Sequence, residues 1–363
     1  MTPEMMDQVK AYLNTRASRV WRHFGPEWFG NIHDNFNLIK ELGPHHTIDA
    51  LPAKLPKHRQ NMETIFVFAS GASLTKYEKQ LRSFKDYGLI FASPTQLQYL
   101  RYCGLEPDVL FSSDSNATSQ SDPVIKSGGA GNMLLTGTPF ISPNLVRLFP
   151  RKNIYMYNSV IQDEKGGIKE SDYSLIMLWL LEKSLPRFFV QAGCVTNQMF
   201  MIATTFMNEG MLPSVKRIVF VGADHGFWKG YARCPAPELE NRAGWTEAEM
   251  VPYQETNSTI EWEGMMSDRR MVLYKRSALI FYQALKPPVY DMSDGIFHEF
   301  PKVEFANIVD DVWPDQPTAE EINERVTSFM VDVFPSKFKD AFATQPADTP
   351  ILQEGTDVSG KEE

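Results

Sequence analysis

The sequence predicts an α/β fold: a mostly parallel sheet with flanking helices, entered through an N-terminal helical preamble. Three observations carry this expectation. The apolar runs TIFVFA (64–69), GLIFA (88–92), DVLFSSD (108–114) and IVFVG (218–222) do not alternate strictly with polar residues, as strands covered on both faces need not. Segments with helical periodicity stand between them. Each run also ends in small or polar residues, at the edge where such sheets hold their ligands.

In chain order, MMDQVKAYLNTRASRVWRHF reads as one helix and IHDNFNLIKEL as a second, broken by Gly43 and Pro44. Both are expected to dock on the main body, since they are aromatic-rich. TIFVFA is a strand that ends at Gly71, and SLTKYEKQLRSF is a helix with Ser73 as its N-cap. GLIFA is the second strand; PTQLQYLRYCG is a helix opened by Pro94 and closed by Gly104; DVLFSSD is the third strand. GNMLLTG and NIYMYNS continue the pattern around a short helix at Ser142 to Leu148. VIQDEKGGIKESD is read as a loop, YSLIMLWLLEK and NQMFMIATTFMNEG as helices, and IVFVG as a central strand. Residues 227–264, rich in Trp, Pro, Glu and Gly, form a lid-like insertion; RRMVLYKRSALIFYQAL and AEEINERVTSFMVDVF are helices around a strand at VYDMSDG. The expected divisions are a helical extension over 1–60, a core over 61–300, a C-terminal helical extension over 301–343 and a disordered tail over 344–363.

A chain of 363 residues, 43% of them hydrophobic, can bury a large core. Its net charge of -9 argues against a general nucleic-acid or anionic-membrane surface, while leaving room for a local basic pocket. No run of 18 apolar residues occurs and the first residues lack a secretory apolar core, so the expectation is a cytoplasmic chain with no membrane partner. Three scattered cysteines suit packing, not a disulfide framework or a zinc site.

Four turns carry the chemistry. At ASGASL, Gly71 lets the backbone come close to a ligand, and a helix starting near Ser73 would aim free amides at a phosphate, with Ser70 and Ser73 adding hydroxyls. The pattern is neither G-x-G-x-x-G nor a P-loop, which disfavours NAD and ordinary P-loop chemistry. At FSSDSN, Asp114 and Asn116 suit a sugar or base, or a helix cap. At QAGCVTNQMF, Gly193, Thr196 and Asn197 open a second helix start. At FVGADHGFWKGYARC, Asp224 and His225 can orient or deprotonate an acceptor, with Lys229 and Arg233 as phosphate counter-charges. No resident metal site is expected, because single carboxylates stand at the strand exits. His45 and His46 read as surface histidines.

Taken in order, ASGASL, GLEPDVLFSSD, QAGCVTNQMFMIATTF and IVFVGADHGF resemble the DUF115, or 6-hydroxymethylpterin pyrophosphokinase MptE-like, family, which includes relatives of the motility accessory factors that modify flagellin. The family's first motif is G-x-G-P-S-L; Ser70 to Leu74 lack one glycine and the proline. The P-D pair is present as Pro107 and Asp108, and G-x-D as Gly222, Ala223 and Asp224. The resemblance implies a Rossmann-like core and nucleotide or nucleotide-activated ligands, with Gly71, Ser73, Asp114, Thr196 and Asp224 as the matching positions. Three readings follow. The first is a glycosyltransferase-like enzyme using a nucleotide-sugar donor and a protein or glycan acceptor. The second is a pyrophosphokinase-like transfer from ATP with Mg²⁺ on the phosphates. The third is a non-catalytic nucleotide-binding or structural protein, with a homo-oligomer whose symmetric assembly covers the Gly71 crevice as its form.

Overall fold

The computed structural model describes residues 19–160, 187–190, 193–229, 231–235, 251–252, 259–262, 265–295 and 299–333. The first predicted helix before residue 19, the loop and helix expected over 161–183, most of the insertion and the expected tail lie outside the described residues.

Strands β1 (Thr64–Phe68), β2 (Leu89–Ala92), β3 (Val109–Ser112), β4 (Leu134–Gly137) and β5 (Ile154–Met156) are laid side by side in chain order. β6 (Asn158–Val160) and β7 (Phe188–Val190) form a separate parallel pair. The chain then returns to place β8 (Arg217–Val221) on the other side of β1. After two antiparallel pairs, β9 (Tyr231–Arg233) with β10 (Val251–Pro252) and β11 (Thr259–Trp262) with β12 (Met265–Asp268), β13 (Val289–Asp291) joins beyond β8. The result is a seven-stranded, all-parallel sheet in the order β13-β8-β1-β2-β3-β4-β5. The order reverses between β1 and β8. In an open α/β sheet that reversal leaves a crevice beyond the strand ends, where ligands bind.

β1 shows why these runs need not alternate. Ile65 and Val67 face one layer and Phe66 and Phe68 the other, and all four are buried. Each such side chain contributes about 1.5–3 kcal/mol on burial. On the first face lie α6 (Val195–Asn208), α7 (Arg269–Leu285) and α9 (Ala319–Val333), through Phe200, Phe206, Leu279 and Ile322. On the second lie α3 (Pro94–Tyr102), α8 (Phe305–Val309) and two 3₁₀ turns, Ala72–Tyr77 and Leu81–Asp86.

Those turns replace the single helix expected from SLTKYEKQLRSF. Gly71 stands at the N-cap position, and no side chain caps the turn. Ser73 lies inside it, because its amide and hydroxyl are both engaged by Asp224. The helix from Pro94 ends as read: Gly104 takes φ +81°, and Leu105 N donates to the Leu100 carbonyl at 2.8 Å.

The preamble also differs. The break expected between its two helices is absent from α1 (Arg19–Leu42), which runs through Gly25, Pro26 and Gly30. Its buried stripe, Ile32, Asn35 and Ile39, rests on a cluster with Leu110, Leu135 and Phe140, joined by α5 (Pro143–Arg147). Asn31 donates to the carbonyls of Ser115 and Phe140, and Asn35 to those of Pro139 and Ile141, all at 2.9–3.0 Å. Tertiary hydrogen bonds thus hold a helix that local sequence would interrupt.

Asp108 of the P-D pair is a structural group. Arg59, on α2 (Lys57–Gln60), donates to both of its carboxylate oxygens and to the Gly88 carbonyl, while Ile90 N donates to the carboxylate at 2.7 Å. His46 stacks on Tyr155 and bonds the Ile154 carbonyl at 2.9 Å.

Candidate functional site

A cleft of about 680 Å³ opens at the C-terminal edge of the sheet, over the β1–β8 reversal. Its wall includes Ser70, Gly71, Asp114, Gly193, Thr196, Asp224 and His225, so the four turns singled out in the sequence converge on one space.

The centre is the first strand-to-turn corner. Ala69 N and Gly71 N donate to the carbonyls of Val221 and Gly222 at 2.9 and 2.8 Å, which carries the β1–β8 ladder past both strand ends. Gly222 then takes φ +70°, a left-handed turn that suits glycine and brings the chain back over the corner. Asp224, 1% exposed, lands on the 3₁₀ turn: Ser73 N donates to its Oδ2 at 2.9 Å, and Ser73 Oγ to its Oδ1. The Ser73 amide therefore already receives an anion, supplied by the chain itself. Burial pushes the Asp224 carboxyl up to about 6, with the Ser73 hydrogen bonds opposing and the nearby Asp291 and Asp294 adding to the rise.

A second corner presents a helix start. Gly193, Cys194, Val195 and Thr196, which open α6, line the cleft, and no side chain caps this helix of 14 residues. Its first-turn amides and dipole present a positive end there. Burial holds the Cys194 thiol up at about 11, so it stays neutral at pH 7. Arg233, exposed on β9, lines the same cleft, and the backbone bond from Cys234 N to Ser70 O at 2.9 Å fastens β9 to the first corner.

At the exit of β3, Asp114 is exposed, and its Oδ1 accepts from Asn116 N at 3.0 Å. Asn116 caps α4 (Ala117–Lys126) by accepting from Ser119 N at 2.9 Å, and it does not line the cleft. Nor do Ser73, which sits behind Asp224, or Asn197, a buried side chain that donates to the Tyr274 carbonyl at 2.7 Å. Lys229 also stands outside the wall, its ammonium 4.3 Å from the Trp228 ring centre.

His225 lines the cleft with φ +48°, a left-handed conformation uncommon for a side-chain-bearing residue, held by Ser267 Oγ donating to its carbonyl at 2.7 Å. Burial, with the Lys275 charge nearby, lowers its imidazole to about 3. At pH 7 it is a neutral hydrogen-bonding group and a weak proton acceptor. Lys275 itself is buried and paired with Glu299 at 2.9 Å.

Sequence reading missed Trp28, Ser93, Thr95, Gln120, Met271 and Tyr274, which complete the wall. The hydroxyls of Ser93 and Thr95 flank Pro94 at the start of α3, a strand exit that could have been scored as the other exits were. Trp28, Met271 and Tyr274 sit within helices, where aromatic and thioether side chains read as core. Among the described residues no group of three or more His, Cys, Asp or Glu side chains could hold a metal ion. Among the same residues no helix is long and apolar enough to cross a membrane.

Comparison with known proteins adds a family. The family described as 6-hydroxymethylpterin diphosphokinase MptE-like matches residues 36–230. A search of curated proteins found no match. Among solved structures, a MAf glycosyltransferase from Magnetospirillum magneticum AMB-1 is similar at 13% identity and a TM-score of 0.46, over 80% of this chain and 42% of that one. The chain thus spans less than half the length of that protein.

Proposed function

The chain belongs to the MptE-like family, whose match covers more than half of its residues, and we propose that it is a transferase acting on a nucleotide-activated sugar in the cleft over the β1–β8 reversal. One observation carries this reading: an uncapped helix start, an exposed arginine, an exposed carboxylate and a buried carboxylate share one wall. The donor phosphates lie between the first-turn amides of α6 and Arg233, where helix dipole and guanidinium favour negative charge. Asp114 accepts from sugar hydroxyls. The Ser73 amide, engaged by Asp224, stays out of phosphate binding and serves to place that carboxylate.

In the transfer, an acceptor hydroxyl oxygen forms a bond to the anomeric carbon as the bond from that carbon to the donor phosphate breaks. The nucleotide leaves with the bonding electrons, and the hydroxyl proton passes to a base. Asp224 suits that role: its pKa of about 6 lies near the working pH, and each oxygen that accepts from Ser73 keeps a second lone pair. His225 hydrogen-bonds the acceptor without changing charge.

The test is release of CMP, UDP or GDP from a panel of nucleotide sugars. Release that is lost in a folded Asp224→Ala variant supports the reading, and no release with any donor overturns it. The family's description favours a second reading, diphosphate transfer from ATP to a hydroxymethylpterin, with Mg²⁺ carried on the triphosphate. Magnesium-dependent formation of AMP with that acceptor would select it.

A further inference from the structure

Trp28 comes from α1, ahead of residue 36 where the family match begins, yet it forms part of the cleft wall. Asn31 stands three positions further on, so the two lie about one helical turn apart on the same side of α1. Asn31 donates to the carbonyl of Ser115, the residue after Asp114. That bond places the indole over the β3 end of the cleft. The ring is half-buried and leans on Phe140, with centroids 5.4 Å apart and planes at 35°, so its orientation is fixed before any ligand arrives. Asn31 and Asn35 pin the helix to the loops after β3 and β4 through four hydrogen bonds.

The opposite end of the cleft is the corner of β8 and β1, with Asp224 and Arg233. The strand order β8-β1-β2-β3 puts three strand spacings between the ends. At about 4.8 Å each, that is about 14 Å. A nucleoside whose phosphates reach Arg233 at that far end has about that length. The β3 end offers an aromatic face beside an exposed carboxylate, a pairing that fits a planar base next to a ribose diol. It also carries the buried Gln120, whose amide is oriented by accepting from Ser112 Oγ at 2.9 Å.

Resting on the nucleotide reading above, we propose that Trp28 is the base-stacking, specificity-determining residue of the site, supplied by the part of α1 that precedes the family-matched segment. Through it, the donor nucleotide is chosen partly by α1.

The experiment is calorimetric binding of CMP, UMP, GMP, AMP and ribose 5-phosphate to the full chain, alongside tryptophan fluorescence. Wild type should bind at least one nucleotide with quenched indole emission. Trp28→Leu, which keeps apolar bulk against Phe140 but removes the aromatic face, should lose about 10- to 100-fold in nucleotide affinity, the range of one base stack. Its ribose 5-phosphate affinity should be unchanged. Trp28→Phe should hold nucleotide affinity within about threefold, since a ring remains to stack on, and lose the quench. The proposal is overturned if Trp28→Leu binds nucleotides normally, if it loses ribose 5-phosphate in equal measure, or if the quench survives in Trp28→Phe. Wild type that binds no nucleotide overturns the nucleotide reading itself. Normal nucleotide binding by Trp28→Leu overturns only the role of Trp28.

Discussion

Replacing Gly71 with alanine separates two roles for the corner at the end of β1. Its φ of -64° suits any residue, so backbone strain plays no part. Space is the constraint: a Cβ would lie 2.4 Å from the Gly222 carbonyl oxygen and 2.6 Å from Cγ and Oδ2 of Asp224. The Gly222 oxygen cannot retreat without lengthening its own bond from Gly71 N, now 2.8 Å. Overpacking of this kind costs about 1–3 kcal/mol. Pushing Asp224 off Ser73 gives up charge-assisted hydrogen bonds worth about 1.5–3 kcal/mol. We therefore expect Gly71→Ala to destabilise the fold by about 3–5 kcal/mol, measured by urea unfolding with an unchanged m-value. In an Asp224→Ala background the same change should cost at least about 1 kcal/mol less, because the carboxylate is gone. A Gly71→Ala protein as stable as wild type that fails to bind nucleotide would refute the argument, and would return phosphate to the Gly71 amides.

Further predictions concern charge. The Asp224 carboxyl moves from 3.8 to about 6 on folding, so between those values the native state binds more protons than the unfolded chain and stability falls as pH rises. The loss reaches about 3 kcal/mol by pH 7, and Asp224→Asn should remove this part of the slope when unfolding is followed from pH 4 to 7. Arg59→Ala strands Asp108, whose side chain is 15% exposed and keeps only the Ile90 amide, and should cost about 3–5 kcal/mol in chemical unfolding. Arg233→Ala, on an exposed side chain, should leave thermal stability unchanged while weakening nucleotide binding about tenfold and reducing its salt dependence, read by calorimetry at two ionic strengths.

The sequence by itself determined the layers, because burial on both faces leaves a local mark: Ile65 to Phe68 and Ile218 to Val221 must be strands covered by helices, and their small, polar exits must meet at one edge. It also marked most of the cleft, since glycines and polar residues at strand exits have no place in a core. Tertiary structure alone decided what those residues do. Ser73 and Asp224 are 151 positions apart, and nothing near either one shows that they satisfy each other across the first corner. The same holds for Arg59 with Asp108, and for Trp28, which reads as core until Asn31 and Asn35 hang α1 over the end of β3. Secondary structure follows from side chains a few residues apart, whereas a site is made where distant segments exchange hydrogen bonds, and a single sequence does not encode that exchange in any local pattern.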